Sequence, residues 1–122
     1  MPAELRQIIF SRDEITRAVA WYRGTGDTAG VLPMGDILQV RIDHDPSAPI
    51  HLKVLPEDGS ATRMVAVPAT VLGACLVGWC RDQGIPIPLK GRKTLLAMGD
   101  NVILSLSLDT RENALAEFVE VA

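Results

Sequence analysis

Residues 37–54 read ILQVRIDHDPSAPIHLKV, and the fold class turns on how they are read. Leu38, Val40 and Ile42 alternate with Gln39, Arg41 and Asp43, a period of two that sends one set to a core and the other to water. Beyond the turn-rich Asp45-Pro46-Ser47-Ala48-Pro49, the residues Ile50, Leu52 and Val54 resume the same alternation. Two alternating runs joined by a short Pro-containing loop predict an antiparallel hairpin. Pro56-Glu57-Asp58-Gly59 supplies a second turn, and a further strand is expected over about Thr62 to Val67, its register left open by the sequence.

On the C-terminal side Pro68 suits a helix start, where its missing N–H costs nothing. The predicted helix runs over 69–83, with Gly84 as its C-terminal cap. Val71, Leu72, Cys75, Leu76, Val77, Trp79 and Cys80 do not fit a single stripe, so this helix is expected to be buried on more than one side. One sheet covers only one of those sides. Either a second subunit or the folded-back C-terminal segment covers the rest, and the small residues Ala69, Gly73, Ala74 and Gly78 suit a close approach. The expected interface of a homodimer is therefore Leu72, Gly73, Leu76 and Cys80.

Ile85-Pro86-Ile87-Pro88 must be extended, because each proline drives its predecessor out of the helical region. Lys90, Arg92 and Lys93 follow, close to Arg81 at the end of the preceding helix. Thr94 to Met98 and Asn101 to Leu108 read as two strands about a Gly99-Asp100 turn, although the first also allows a short helix. From Asp109 onward Leu115, Phe118 and Val119 are at helical spacing and predict a short C-terminal helix.

Towards the N-terminus, Leu5 to Phe10 read as a strand. Ser11 and Glu14 have capping-box spacing, and Phe10 with Ile15 can form a hydrophobic staple. Ile15, Ala18, Val19 and Tyr22 make one stripe of a helix that Gly24 ends. Residues 24–36, with four glycines and a proline, are a loop. Their GxG spacing is not that of a phosphate-binding motif. The sum is a single α+β domain over 1–122, with a mainly antiparallel sheet of five to six strands, two main helices and a short C-terminal one.

The chain of 122 residues is 48% apolar with only five aromatic residues, enough for an aliphatic core without metal or disulfide. Its net charge of −3 argues against a general nucleic-acid or anionic-membrane binder. The apolar run from Ala69 to Cys80 is too short to span a bilayer, and the polar start MPAELRQ is no signal peptide. Cys75 and Cys80 lack redox or zinc spacing and read as small buried hydrophobes. A reducing cytoplasm fits these features.

His44 and His51 flank the DPSAP loop beside Asp43 and Asp45. Pairing residue 44 with 50 sets Asp43 opposite His51 and turns His44 to the other face, which splits the set as metal ligands. An Asp43–His51 surface pair remains. Nucleophile motifs are missing. The IPIP stretch with Arg81, Lys90, Arg92 and Lys93 is the expected contact surface for an acidic protein partner, since an extended strip beside cations loses little entropy on docking. The leading expectation is thus a non-enzymatic interaction or regulatory module that forms a homodimer and needs no cofactor. The alternative is a small-molecule-binding domain or small enzyme built on loop 24–36 and the His44/His51 hairpin.

Overall fold

The computed structural model describes residues 3–25, 32–89 and 91–109. The order is β1 (Ala3–Ser11), α1 (Arg12–Arg23), β2 (Asp36–Ile42), β3 (Ile50–Leu55), β4 (Arg63–Val67), α2 (Ala69–Asp82), β5 (Arg92–Met98) and β6 (Asn101–Asp109). The class is α+β. In place of one sheet of five to six strands there are two antiparallel three-stranded sheets, ordered β1-β6-β5 and β2-β3-β4. The expected C-terminal helix lies outside the described residues. Residues 92–98 are a strand, paired in register with β6 from Arg92 opposite Ser107 to Met98 opposite Asn101.

β1 runs straight into α1, and local chemistry fixes the junction. The Ser11 side chain accepts the Glu14 amide proton at 3.2 Å, while the Glu14 carboxylate accepts from the Ser11 amide at 3.0 Å. Two orphan donors of the first turn are thereby satisfied. Phe10 and Ile15, on either side of the cap, are both buried. At the other end of α2, Gly84 has φ +79°, and the amides of Gly84 and Ile85 donate to the carbonyls of Arg81 and Cys80. This Schellman arrangement fits the expected glycine stop.

The β2–β3 alternation departs from the expected one at one residue. A bulge between Ile37 and Gln39 leaves Leu38 unpaired and exposed, and Ile37 takes the half-buried inward position. After the bulge Val40 and Ile42 face Leu52 and Ile50 as register partners. An extra residue shifts the parity of everything before it.

Apart from Ile103 on the other face of β6, the described buried apolar residues form one cluster drawn from both sheets and both helices. Leu72, Gly73, Leu76 and Cys80 are buried inside it. No side chain of the expected dimer interface therefore reaches the surface, because the second sheet and α1 supply the cover that a single sheet lacked. Gly78 contributes by its missing side chain, since a Cβ there would lie 2.8 Å from the indole of Trp21 on α1.

Candidate functional site

Successive inward positions of β1, β6 and β5 come in rows. Phe10–Val102–Ala97 and Ile8–Leu104–Leu95 belong to the core side, and the next row outward is Arg6–Leu106–Lys93. The same period of two that buries the first two rows carries two cations onto the core face of the sheet in the third. Residues 85–88 run against this row. Ile87 is buried, Ile85 packs against the core, and the Arg6 guanidinium donates to the Pro86 carbonyl oxygen at 2.6 Å. Between this strap and the sheet is a groove of about 330 Å³, within the usual range for a binding cleft. Pro86, Pro88 and Leu106 give it apolar walls, while among the described residues Arg6, Arg92 and Lys93 give it positive charge against Glu4.

Lys93 is the unusual member. It is only 6% exposed, and its Nζ donates to the Leu89 carbonyl oxygen at 3.5 Å, a long bond. Among the described residues no carboxylate is within ion-pair distance of it. Burial, and secondarily the charge of Arg81, hold its amine below the usual lysine range. A buried ammonium without a counter-charge is costly unless something else neutralises it.

The expected basic strip is thus distributed differently from a solvated run. Arg92 is exposed and lines the groove, Arg81 is exposed at the end of α2, Lys93 is a wall of the groove, and Lys90 lies outside the described residues. The strip's isoleucines are used by the fold, which leaves Pro86, Pro88 and the 75%-exposed Leu89 to face outward. Arg6 and Glu4 are contributed from the opposite end of the chain. One signal for Arg6 exists in the sequence: it shares the parity of Ile8 and Phe10, so a charge stands on a core-facing position.

The histidine hairpin is arranged two residues away from the expected register. Arg41 pairs with His51, and the Asp43 amide donates to the Pro49 carbonyl oxygen at 2.8 Å. A shift of two preserves the faces, so Asp43 and His51 still meet, now diagonally, with Oδ2 3.4 Å from Nδ1. The contact is out of line for a hydrogen bond and leaves Nδ1 buried without a hydrogen-bond partner. His44, Asp43 and Asp45 border a recess of about 80 Å³ against β5, room for a few waters but not for a metabolite. Asp45 accepts from the Ser47 hydroxyl and amide, which holds its carboxyl below the usual range. No group of three or more metal-ligating side chains occurs among the described residues. Residues 26–31 of the glycine-rich loop lie outside them. Cys75 and Cys80 are free and buried, and burial pushes the Cys75 thiol up to about 12. No described helix is long and apolar enough to cross a membrane. The chain matches no protein-family model, and no curated protein or solved structure is significantly similar to it.

Proposed function

We propose that this domain is a non-enzymatic interaction module whose groove takes an acidic, partly apolar peptide segment of a partner protein. The observation that carries the reading is Lys93, a buried ammonium without a carboxylate partner among the described residues, lining an accessible groove with Arg6 and Arg92. A carboxylate side chain entering there gains a partly desolvated cation, while the flanking apolar residues gain Pro86, Pro88 and Leu106. Among the described residues the groove lining contains no aromatic, so they offer no base stacking to a nucleic acid. The small-molecule alternative keeps an open cleft of about 610 Å³ beside Leu32, Pro33 and Met34 of the glycine-rich loop, but the histidine recess is separate from it and a quarter the volume of the groove.

Fluorescence anisotropy with a labelled peptide alternating Glu with Leu and Phe, and a control with Lys in place of Glu, tests the proposal. The acidic peptide alone should bind, and more weakly as ionic strength rises from about 0.05 to about 0.5 M. Lys93→Met should weaken it about thirtyfold or more, the scale for removing one partner of a desolvated charge pair. Equal binding of both peptides, or unchanged affinity in folded Lys93→Met, would sink the reading.

Self-association is a second reading with a different surface. Leu5, Ile9, Leu96 and Met98 lie exposed on the outward positions of β1 and β5, all but Leu96 by more than half. A homodimer would use this face in place of the enclosed α2. A monomeric mass by sedimentation at micromolar concentration retires it.

A further inference from the structure

We infer that Lys93 is a carboxylation site: its amine takes up carbon dioxide as a carbamate, which the surrounding arginines hold and which turns the groove against acidic ligands. The carbamate stands on the geometry around Lys93, and only its effect on ligands rests on the groove reading above.

The charges around Lys93 suit an anion better than an ammonium. Among the described residues, Arg6 and Glu4 from β1 and Arg92 from β5 line the groove with it, and the charge of Arg81 at the end of α2 reaches it. β6 adds Leu106 and Ser107, and the strap adds Pro86, Ile87 and Pro88, none of them charged. The ammonium thus meets three guanidiniums against one carboxylate, and that carboxylate is not within ion-pair distance of it. Its one hydrogen bond among the described residues is the long contact to the Leu89 carbonyl oxygen. A carbamate on Nζ reverses the charge at that point and supplies the paired oxygens that guanidinium forks match.

Burial also makes the amine reactive. A lysine that is desolvated and next to another cation is held partly neutral, and the neutral amine is the nucleophile. Its lone pair forms the N–C bond with carbon dioxide, one C=O electron pair moves onto oxygen, and an N–H proton leaves to solvent. Nothing is oxidised or reduced, and no group departs besides that proton.

Size selects the reagent. Lys93 is 6% exposed, which shields Nζ from a bulky acyl donor. The groove of about 330 Å³, walled by Pro86, Pro88 and Leu106, admits a small, neutral, apolar molecule. Release of carbon dioxide requires a proton on the carbamate nitrogen, and the neighbouring guanidiniums oppose its arrival.

The test is carbon NMR of the full chain equilibrated with isotopically labelled bicarbonate at mildly alkaline pH. Wild type should show a carbamate resonance that is absent from Lys93→Met and from Lys93→Arg, the second of which keeps the positive charge. Wild-type spectra identical to those of both variants overturn the inference and leave the groove reading standing. In parallel, the acidic peptide should bind wild type about thirtyfold more weakly at full carbamate occupancy than in carbon-dioxide-free buffer of equal pH and ionic strength, since an anion has replaced a cation. Lys93→Arg should bind it equally in both buffers. A carbamate resonance with unchanged peptide affinity overturns the switch. The resonance without peptide binding in either buffer retires the groove reading and leaves the carboxylation site.

Discussion

Lys93 stands at an inward position of β5, two residues before the fully buried Leu95, where alternation calls for an apolar side chain. Its ammonium is therefore a local cost to the free fold. Lys93→Met keeps the length and removes the charge, so its melting temperature should equal or exceed that of wild type, whereas Lys93→Glu should lower it. The sign with pH follows from the lowered pKa. Between the folded value and the ordinary 10.5 the unfolded chain binds more protons, so wild-type stability should rise with pH across that alkaline window. Urea titrations at several pH values should show that rise in wild type and lose it in Lys93→Met; an unchanged slope would mean that the ammonium is solvated. The cysteines give a second check at this scale. With the Cys75 thiol pushed up to about 12 and Cys80 also raised by burial, neither presents a thiolate at neutral pH. A thiol reagent should leave both unmodified in the native protein and modify both in denaturant.

The elements show which parts of the sequence were legible and why others were not. α1 was readable because its signals are local: a capping box, a staple and one stripe, all between Phe10 and Tyr22. The β2–β3 hairpin was readable as a hairpin, but the bulge at Leu38 was not, since an inserted residue leaves the composition of the strand unchanged. α2 was read correctly as buried on more than one side, but the sequence did not show that α1 covers part of it. Periodicity reports that a face is buried and says nothing of what buries it. The Gly78–Trp21 contact is where α1 makes that cover, and it can be tested directly. Gly78→Ala sets about 1 kcal/mol of helix propensity against displacing the half-exposed end of an indole. Gly78→Leu has no such compensation and should cost about 1–3 kcal/mol by overpacking. Denaturant unfolding of the two variants checks this, and a Gly78→Leu protein as stable as wild type would show that α1 and α2 separate easily.

At the scale of the molecule the groove exists because two distant stretches are forced together. β1 and β6 pair from Ala3 opposite Asp109 to Ser11 opposite Asn101, so this sheet closes only when nearly the whole described chain has folded between its strands. No local pattern announces such a pairing, and for that reason the division of six strands into two sheets was not legible and Arg6 showed only as a charge at a core-facing parity. The same topology makes a strong demand on cooperativity. Phe10, Leu95, Val102 and Leu104 of one sheet share a single cluster with Val40, Ile50, Leu52 and Val67 of the other, with Leu72 and Leu76 of α2 in the same cluster. A sheet that lost α2 would expose its inner face, and three strands without a covered face are marginal in water. The two sheets should therefore unfold as one unit. Leu72→Ala, which empties a fully buried position, should cost about 2–5 kcal/mol. Native-state hydrogen exchange reads how that loss is shared. The slowest amides of β3 and of β6 should lose protection by the same free energy, because both report one global opening. A loss confined to either sheet would divide the chain into two separately folding halves, and the groove would then belong to one of them alone.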